Sequence, residues 1–236
     1  MNNEKPAPYV GKKVLVGMPC GFGYVPAITV QALLNLRNPC AFRFMIVEKD
    51  SVIRARNKIA MTALANGFDY LLFLDDDNPV PSDALEKMLE ADKDIVIAPI
   101  PTRHGTSGYH PLCAFYAEEK EVEGGKLKIY RDIKQFRDPG PLHRIDAGGA
   151  GCMLIKRKVL EEMNKKYADF MFDTSSTPLK KPIEVDGKNY EKRTMGEDVE
   201  FCERAIGLGF ELWLDERIRP IHLTGARSVQ WPGPST

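Results

Sequence analysis

The chain has 236 residues, a length that fits one large domain or two small ones. Hydrophobic residues make up 43% of the sequence and charged residues 28%, which excludes a mainly disordered chain. The 33 basic and 33 acidic side chains cancel, so the chain has no overall positive field and binding to nucleic acid is not expected.

The N-terminal part of the chain alternates between short apolar runs and stretches of helical pattern. Four apolar runs predict strands: residues 12–18, 41–47, 69–74 and 94–97. Three helices are expected between them, the first beginning at Pro26 and the others capped by Ser51 and Ser82. This alternation predicts an α/β fold with a mainly parallel central sheet flanked by helices. Ligands of such sheets bind beyond the carboxyl ends of the strands, so a site is expected in the loops that follow them.

The second half of the chain has a different pattern. Residues 114–131 predict a β-hairpin that turns at Gly124-Gly125, and residues 144–156 predict a glycine-rich loop that leads into a strand. Residues 174–193 are polar, contain prolines and show no period, so we interpret this segment as a long mobile loop. No repeat or linker divides the sequence, which favours one domain over residues 1–236. The remaining elements predicted are helices at 158–166 and 196–209 and short strands at 211–214 and 219–223.

Cysteine usage and hydropathy indicate the compartment. The five cysteines are odd in number and widely spaced, without a C-x-x-C pair, so neither a disulfide framework nor a cysteine zinc site is predicted. No apolar run reaches the roughly 20 residues that a membrane helix needs. The N-terminus is polar and lacks the apolar stretch of a signal peptide. We therefore expect a cytoplasmic protein without a membrane span.

Three adjacent acids, Asp75, Asp76 and Asp77, directly follow the apolar run at residues 69–74. Their carboxylates repel one another, and a cation such as Mg²⁺ or Mn²⁺ would relieve that repulsion. Alternate residues of an extended backbone point the same way, so Asp75 and Asp77 form a D-x-D pair that would face one site. The competing interpretation is a solvated acidic turn, since Asp is common in turns. The position after a buried strand favours a site.

Two further polar features lie near the end of the chain. Glu197 and Asp198 open the helix predicted at residues 196–209, where acids complement the helix dipole. A carboxylate at such a helix start also serves as a general base if it faces a pocket. His222 lies between two apolar residues and fits either a satisfied core histidine or a metal ligand.

Three segments together resemble the GT-A glycosyltransferases, especially the family 2-like group. The first spans residues 51–81 and contains YLLFLDDDNPVP; the second, DAGGAGCMLIKRKVLEEM, starts at Asp146; the third, GEDVEFCERAIGLGFELWLDERIRPIHLTG, starts at Gly196. They follow the family's order and, with the N-terminal strand, cover most of the chain. The resemblance implies a GT-A fold with a donor-binding half in residues 1–100 and an acceptor and catalytic half in residues 101–236.

The resemblance also implies a nucleotide-diphospho-sugar donor, a hydroxyl acceptor and a divalent cation, Mn²⁺ or Mg²⁺. Asp77, Asp75 and His222 would be the metal ligands, with Asp77 the more direct of the two acids. Asp198 matches the catalytic base of inverting members, and Glu197 beside it would bind the acceptor or orient the loop. The implied chemistry is substitution at the anomeric carbon, in which the cation neutralises the leaving diphosphate and Asp198 deprotonates the acceptor.

The predicted donor-binding set is larger and comprises Pro19, Arg54, Arg56, Asn57, Asp75, Asp76, Gly149 and Gly151. Its basic members also have a chemical reason, since arginine pairs with phosphate oxygens and a helix N-terminus adds backbone donors. A solvated helix face explains Arg54 equally well. One departure from the family is that no acid follows the first strand; Glu48 or Asp50, after the second strand, would take its role of holding the base and ribose.

Two other functions remain open at this point. A nucleotidyltransferase that forms sugar nucleotides needs a similar sheet and metal, but its glycine-rich loop normally carries basic residues for the triphosphate. The segment GMPCGFGYVP has the glycines without Arg or Lys. A non-catalytic module that binds sugar nucleotides is the second alternative, and the intact D-x-D, Glu-Asp and histidine set argues against it.

Overall fold

A computed structural model describes residues 9–102, 111–122, 125–185, 187–224 and 227–229. The helices are α1 Ala27–Leu34, α2 Val52–Ala65, α3 Ala84–Glu90, α4 Arg157–Tyr167 and α5 Glu197–Gly207. The first seven strands are β1 Lys13–Cys20, β2 Ala41–Glu48, β3 Tyr70–Leu74, β4 Ile95–Ile97, β5 Ala114–Val122, β6 Gly125–Asp132 and β7 Leu142–Ile145. The others are β8 Ala147–Gly148, β9 Cys152–Lys156, β10 Ser175–Val185, β11 Lys188–Met195, β12 Leu212–Asp215, β13 His222–Thr224 and β14 Arg227–Val229.

A seven-stranded sheet forms the centre of the fold, in the order β2-β1-β3-β9-β4-β12-β7. The predicted α/β class is confirmed. Strands β1, β2, β3, β4 and β12 run in one direction, but the sheet is mixed and not all parallel. Strand β9 runs antiparallel between β3 and β4, and β7 pairs antiparallel with β12. The pairs β1 with β2, β1 with β3, and β4 with β12 are parallel. A strand buried on both faces has no polar side from which its direction can be inferred, which is why the sequence does not reveal the reversal.

The two faces of the sheet each carry a hydrophobic core, and β3 contributes to both. Leu71 and Phe73 point to the face covered by α2, α4 and α5, whereas Leu72 and Leu74 point to the face covered by α3. All five residues of β3 are buried, as expected for a strand between two layers of helices. The acids that follow β3 are therefore presented from a strand that is fixed on both sides.

Helix α2 brings its first turn to the carboxyl end of the sheet. The hydroxyl of Ser51 accepts a hydrogen bond from the backbone N–H of Arg54 at 3.3 Å, which confirms the predicted N-cap. Ile59 packs directly against the backbone of β1 at Gly17, where a Cβ would collide with its side chain. The helix ends before Gly67, which has a φ of +68°. The N-cap position of α3 is Asp83 and not the predicted Ser82, and its side chain makes no capping hydrogen bond.

Two hairpins extend from the second half of the chain. Strands β5 and β6 form the hairpin predicted at residues 114–131, and its turn lies outside the described residues. The segment 174–193, expected as a long loop, instead forms the antiparallel hairpin of β10 and β11. The register of this hairpin shifts between Pro178 and Ile183. An irregular ladder that contains a proline carries no clean alternation, and for that reason the sequence pattern does not predict it.

The helices and the last strand predicted in the second half of the chain have counterparts in the structure. The helices expected at 158–166 and 196–209 correspond to α4 and α5. The strand expected at 219–223 is shorter and later in the chain, as β13. In the part of the chain that the structure describes, no helix has the length and apolar character needed to cross a membrane.

Candidate active site

A cavity of about 280 Å³ opens beyond the carboxyl end of β3. Its walls come from the segment after β3, the N-terminal part of α2, residues between β4 and β5, the loop between β8 and β9, the start of α5, and β13. The residues that line it are Arg56, Asp75, Asp77, Asn78, Ile100, Thr102, Cys113, Gly149, Ala150, Gly151, Asp198 and His222. Segments that are distant in sequence therefore meet in one place. The position agrees with the expectation for sheets whose neighbouring strands end at a common edge.

Arg56 is the central cation of the site. It is only 3% exposed, and its Nη2 donates to both carboxylate oxygens of Asp75, each at 3.1 Å. Its Nη1 donates to Glu197 Oε1 at 2.5 Å. Burial by itself would lower the pKa of Arg56, but the charges of Asp75, Glu197 and Asp198 raise it, so the guanidinium stays ionised. One buried cation thus ties the end of β3 to the start of α5.

Asp77 and His222 face each other on the opposite side of the cavity. The backbone N–H of Leu223 donates to the carbonyl of Asp77 at 2.8 Å, which docks β13 onto the acidic segment. His222 Nδ1 lies 2.7 Å from the carbonyl oxygen of Pro101. A carbonyl only accepts, so Nδ1 carries the proton, and Nε2 lies 3.6 Å from Asp77 Oδ2. His222 therefore lies at the wall of the cavity.

The fit of this arrangement to a divalent cation depends on the donors. No group of three or more His, Cys, Asp or Glu side chains is placed to share a metal ion within the described ranges. Both oxygens of Asp75 are engaged by Arg56, so the nearest pair of ligands is Asp77 with His222. One carboxylate suits Mg²⁺ or Mn²⁺ when the ligand's oxygens and water complete the shell. An imidazole is more typical of transition metals, so the pair fits Mn²⁺ better than Mg²⁺. The carbonyl behind His222 fixes the tautomer that presents Nε2 as a ligand.

Asp198 lies at the first turn of α5 with its carboxylate at the cavity. Its Oδ1 accepts the backbone N–H of Val199 at 2.8 Å. Burial raises the pKa of Asp198, and the charge of Glu197 adds to this, while Arg56 acts in the opposite direction. A carboxylate with a raised pKa is a stronger base than an ordinary aspartate, which is what proton abstraction from a hydroxyl needs.

The glycines at the start of β9 form a wall of bare backbone. A Cβ on Gly149 would lie 2.6 Å from Cys113 Sγ and 3.7 Å from Asp198 Oδ2. A Cβ on Gly151 would collide with Asn78 Oδ1 and would lie 3.0 Å from Asp75 Oδ2. The backbone N–H of Asp75 donates to the carbonyl of Gly151 at 2.9 Å. Only glycine lets the backbone approach the acids this closely.

Four residues predicted to bind the donor lie outside this cavity. Pro19 is buried within β1. Arg54 has a side chain 76% exposed and pairs with Asp50 on the surface. Asn57 is buried, and both atoms of its amide bond the backbone of Phe172, at 2.7 and 2.9 Å. The carbonyl of Asp76 accepts from the hydroxyl of Thr29 at 2.7 Å, and burial raises the pKa of the Asp76 side chain.

Asn78, Ile100, Thr102 and Cys113 line the cavity although the sequence does not single them out as site residues. Asn78 directly follows the acidic triplet, which is the one signal that places it near the site. Burial raises the pKa of Cys113 to about 12, so its thiol stays protonated at neutral pH and does not act as a nucleophile. The other two are apolar or neutral wall residues that no motif marks.

Comparisons with known proteins define the fold and not the activity. The structure is similar to that of A197 from STIV, with a TM-score of 0.54 and 16% sequence identity over 95% of this chain and 92% of that one. It also matches S. aureus TarS 1-349 in complex with UDP-GlcNAc, at a TM-score of 0.37 and 12% identity, over 64% of this chain and 47% of that one. A third match is mannose-1-phosphate geranyltransferase from Thermus thermophilus, at a TM-score of 0.38 and 14% identity, over 66% and 61% of the two chains. No protein-family model matches the sequence, and no curated protein matches it.

Proposed function

We propose that this protein is a metal-dependent glycosyltransferase that moves a sugar from a nucleotide-diphospho-sugar donor to an acceptor hydroxyl. The observation that supports the proposal is the convergence of three segments on one cavity. The D-x-D pair, the start of α5 and His222 all line it or contact a residue that does. A chain that used these acids only as turns and helix caps would have no reason to gather them around one cavity.

The two acids of the D-x-D pair have different roles in this proposal. Asp77 and His222 would hold Mn²⁺ or Mg²⁺, and the cation would supply positive charge to neutralise the leaving diphosphate. Asp75 holds Arg56 instead, through both of its carboxylate oxygens. Arg56 in turn holds Glu197, so the start of α5 is fixed relative to the metal-binding side. Pairing with phosphate is a further property of arginine that suits a diphosphate ligand.

Asp198 is the base of the proposed reaction. Its carboxylate accepts the proton of the acceptor hydroxyl as that oxygen forms a bond to the anomeric carbon and the bond to the diphosphate breaks. The raised pKa of Asp198 suits this step because a stronger base takes the proton more readily. Direct attack by the acceptor inverts the configuration of the anomeric carbon, so an inverting transfer is proposed. The ligand screen tests which nucleotide and which sugar the site takes.

The test is a thermal-shift screen with UDP, GDP, UDP-glucose and GDP-mannose, each with Mn²⁺ and with chelator. A ligand that binds the native state raises the melting temperature by mass action. We expect a shift that needs Mn²⁺ and is lost in Asp77→Ala. In His222→Ala we expect a weaker shift with little change in the melting temperature of the free protein.

Asp169→Ala is the matched control, because Asp169 is an exposed acid outside the cavity. Shifts of full size in chelator, or in Asp77→Ala, would refute the metal role. Release of pyrophosphate from a nucleoside triphosphate and a sugar phosphate would instead identify the nucleotidyltransferase. Donor hydrolysis separates an enzyme from a binding module.

A further inference from the structure

An exposed apolar groove lies at the β2 edge of the central sheet, away from the candidate active site. It has a volume of about 310 Å³, and every side chain that lines it is apolar. Strand β2 and helix α1 form its two sides, with the side chains of Phe42, Phe44, Ile46, Val30, Leu33 and Leu34. Leu34 is 82% exposed, and the three β2 residues are 37–42% exposed. Contiguous exposed apolar surface of this kind marks an interaction site.

Strand β2 is also an open edge of the sheet. It pairs with β1 over its whole length and with no other strand among the described residues. Its outward backbone N–H and C=O groups therefore form a row with which another strand can pair. Natural edge strands are commonly protected by prolines, bulges or several charges. Residues 41–47 have no proline, keep an unbroken register with β1, and contain a single charge, at Arg43.

The side chains of β2 alternate in a way that suits pairing with an identical strand. Phe42, Phe44 and Ile46 face the groove, whereas Met45 packs against the core on the α2 side of the sheet. In an antiparallel pair centred on Phe44, Phe44 lies opposite Phe44 of the second copy and Phe42 lies opposite Ile46. Such apolar cross-strand pairs stabilise neighbouring strands. The same register puts Arg43 opposite Met45, so like charges do not meet.

The exposed area of the groove agrees with what a stable dimer needs. From their exposed fractions, Val30, Leu34, Phe42, Phe44 and Ile46 present roughly 300–500 Å² of apolar surface. A standard interface buries about 800 Å² per partner, of which rather more than half is apolar. A lipid surface would cover the same side chains but would leave the backbone groups at the edge of β2 unpaired. A second strand covers the side chains and pairs the backbone as well.

We propose that this face binds a second copy of the chain, in a two-fold dimer in which β2 pairs antiparallel with β2 and the central sheets of the two copies become continuous. Two-fold dimers are the commonest oligomers, and the same patch on both copies forms their interface. The groove and the cavity beyond β3 have no lining residue in common. The dimer therefore goes beyond the proposed function and does not depend on it.

The experiment measures the mass of the protein by sedimentation velocity over a range of concentrations. The wild type should sediment with twice the mass of one chain. Leu34→Glu and Phe44→Glu should each weaken self-association by at least about 10-fold, because they place a charge within an apolar interface. Leu34 is largely exposed, so its variant serves if Phe44→Glu does not fold. Phe170→Glu is the control, since Phe170 is a 61% exposed phenylalanine outside the groove.

Phe44→Cys tests the register of the two strands. Directly opposed residues of an antiparallel pair have Cα atoms about 4.5–5.5 Å apart, which is within the range of a disulfide bond. Under mild oxidation Phe44→Cys should form a covalent dimer. Phe42→Cys should not, because the two copies of position 42 lie about 13 Å apart along the strands. The wild type, with Cys40 just before β2, gives the background of this assay.

Three results would overturn the proposal. The first is a wild type that sediments as a single chain at every concentration; if that single chain binds vesicles of phosphatidylcholine and phosphatidylserine and Leu34→Glu does not, the occupant is a lipid surface. The second is a dimer that neither Leu34→Glu nor Phe44→Glu weakens, since its interface then lies elsewhere. The third is a dimer in which Phe44→Cys forms no cross-link. A failure of the ligand screen would leave the sedimentation result unchanged.

Discussion

Replacing Asp198 by asparagine separates a catalytic carboxylate from a structural one. The substitution keeps the shape of the side chain, and the Asn oxygen can still accept the hydrogen bond from Val199 N–H that Asp198 Oδ1 accepts at 2.8 Å. What Asp198→Asn removes is the ability to accept a proton. Its consequences for the reaction and for stability can therefore be worked out separately.

The expected effect of Asp198→Asn on turnover is large. A positioned general base contributes roughly 10²–10⁴-fold, which corresponds to about 2.7–5.5 kcal/mol of activation free energy. The loss should appear in kcat, because the proton is transferred only as the acceptor attacks. Affinity for the donor nucleotide should change little, because the proposed contacts to the diphosphate come from Arg56 and the Asp77 side of the cavity.

Asp198→Asn should lower turnover, but its folding stability relative to the wild type should increase with pH. Burial raises the pKa of Asp198, so the folded protein holds this proton more strongly than the unfolded chain. The contribution of Asp198 to stability is therefore present below its unfolded pKa and is lost as the pH rises through the higher folded pKa. Asparagine does not titrate. The stability of Asp198→Asn relative to the wild type should accordingly increase as the pH rises towards neutrality.

The assay measures sugar transfer, donor binding and urea unfolding of the wild type and Asp198→Asn at several pH values. Glu203→Gln is the control, because Glu203 lies in the same helix outside the cavity and pairs with Lys128. Near-normal transfer by Asp198→Asn would assign the base to another residue or make the mechanism retaining. A large loss of stability at neutral pH would show that Asp198 is mainly a helix cap.

Two further predictions each compare a variant at the cavity with a variant away from it. Arg56→Met leaves two carboxylates without their cation, and because both are partly exposed it should lower the free energy of unfolding in urea towards the lower end of about 3–5 kcal/mol. Arg54→Met, at an exposed ion pair, should change the free energy of unfolding by no more than about 0.5 kcal/mol. Equal effects of the two variants would refute the central role of Arg56. Gly151→Ala should cost about 1–3 kcal/mol and abolish ligand binding, because its Cβ has no space beside the acids. Gly207→Ala, where a Cβ meets nothing within 4 Å, should be neutral or stabilising in the same melts, and a Gly151→Ala variant of full stability would show that the wall gives way.

The sequence predicts the parts of the fold that depend on local signals. The run at residues 69–74 corresponds to β3, and Ser51 with Gly67 marks the ends of α2, because apolar runs and caps act on neighbouring residues. The direction of β9 depends on its partners β3 and β4, which are distant in sequence. The hairpin of β10 and β11 is likewise held by cross-strand pairing with a shifted register, and no local period marks it.

The site shows the same division between local and distant causes. The order of carboxylates and histidine anticipates which segments converge, but it does not separate Arg56 from Arg54. Helical spacing does separate them: Arg56 lies on the buried stripe of α2 with Ile59 and Ala60, whereas Arg54 lies off it. No sequence signal could show that Arg56 would engage both oxygens of Asp75, since the orientation of that contact depends on the assembled sheet and helices.

The reversed strand β9 has a mechanical consequence for the cavity. Because β9 runs opposite to both its neighbours, its beginning lies at the edge where β3 and β4 end, and its backbone is bonded to Asp75 through Gly151. The glycine wall and the first acid therefore form one stiff frame that cannot widen without breaking the sheet. The opposite side rests on a three-residue strand, β13, and on the first turn of α5. Ligands of different size should accordingly be accommodated by movement of β13 and the start of α5. The backbone at β3 and β9 should stay in the same position.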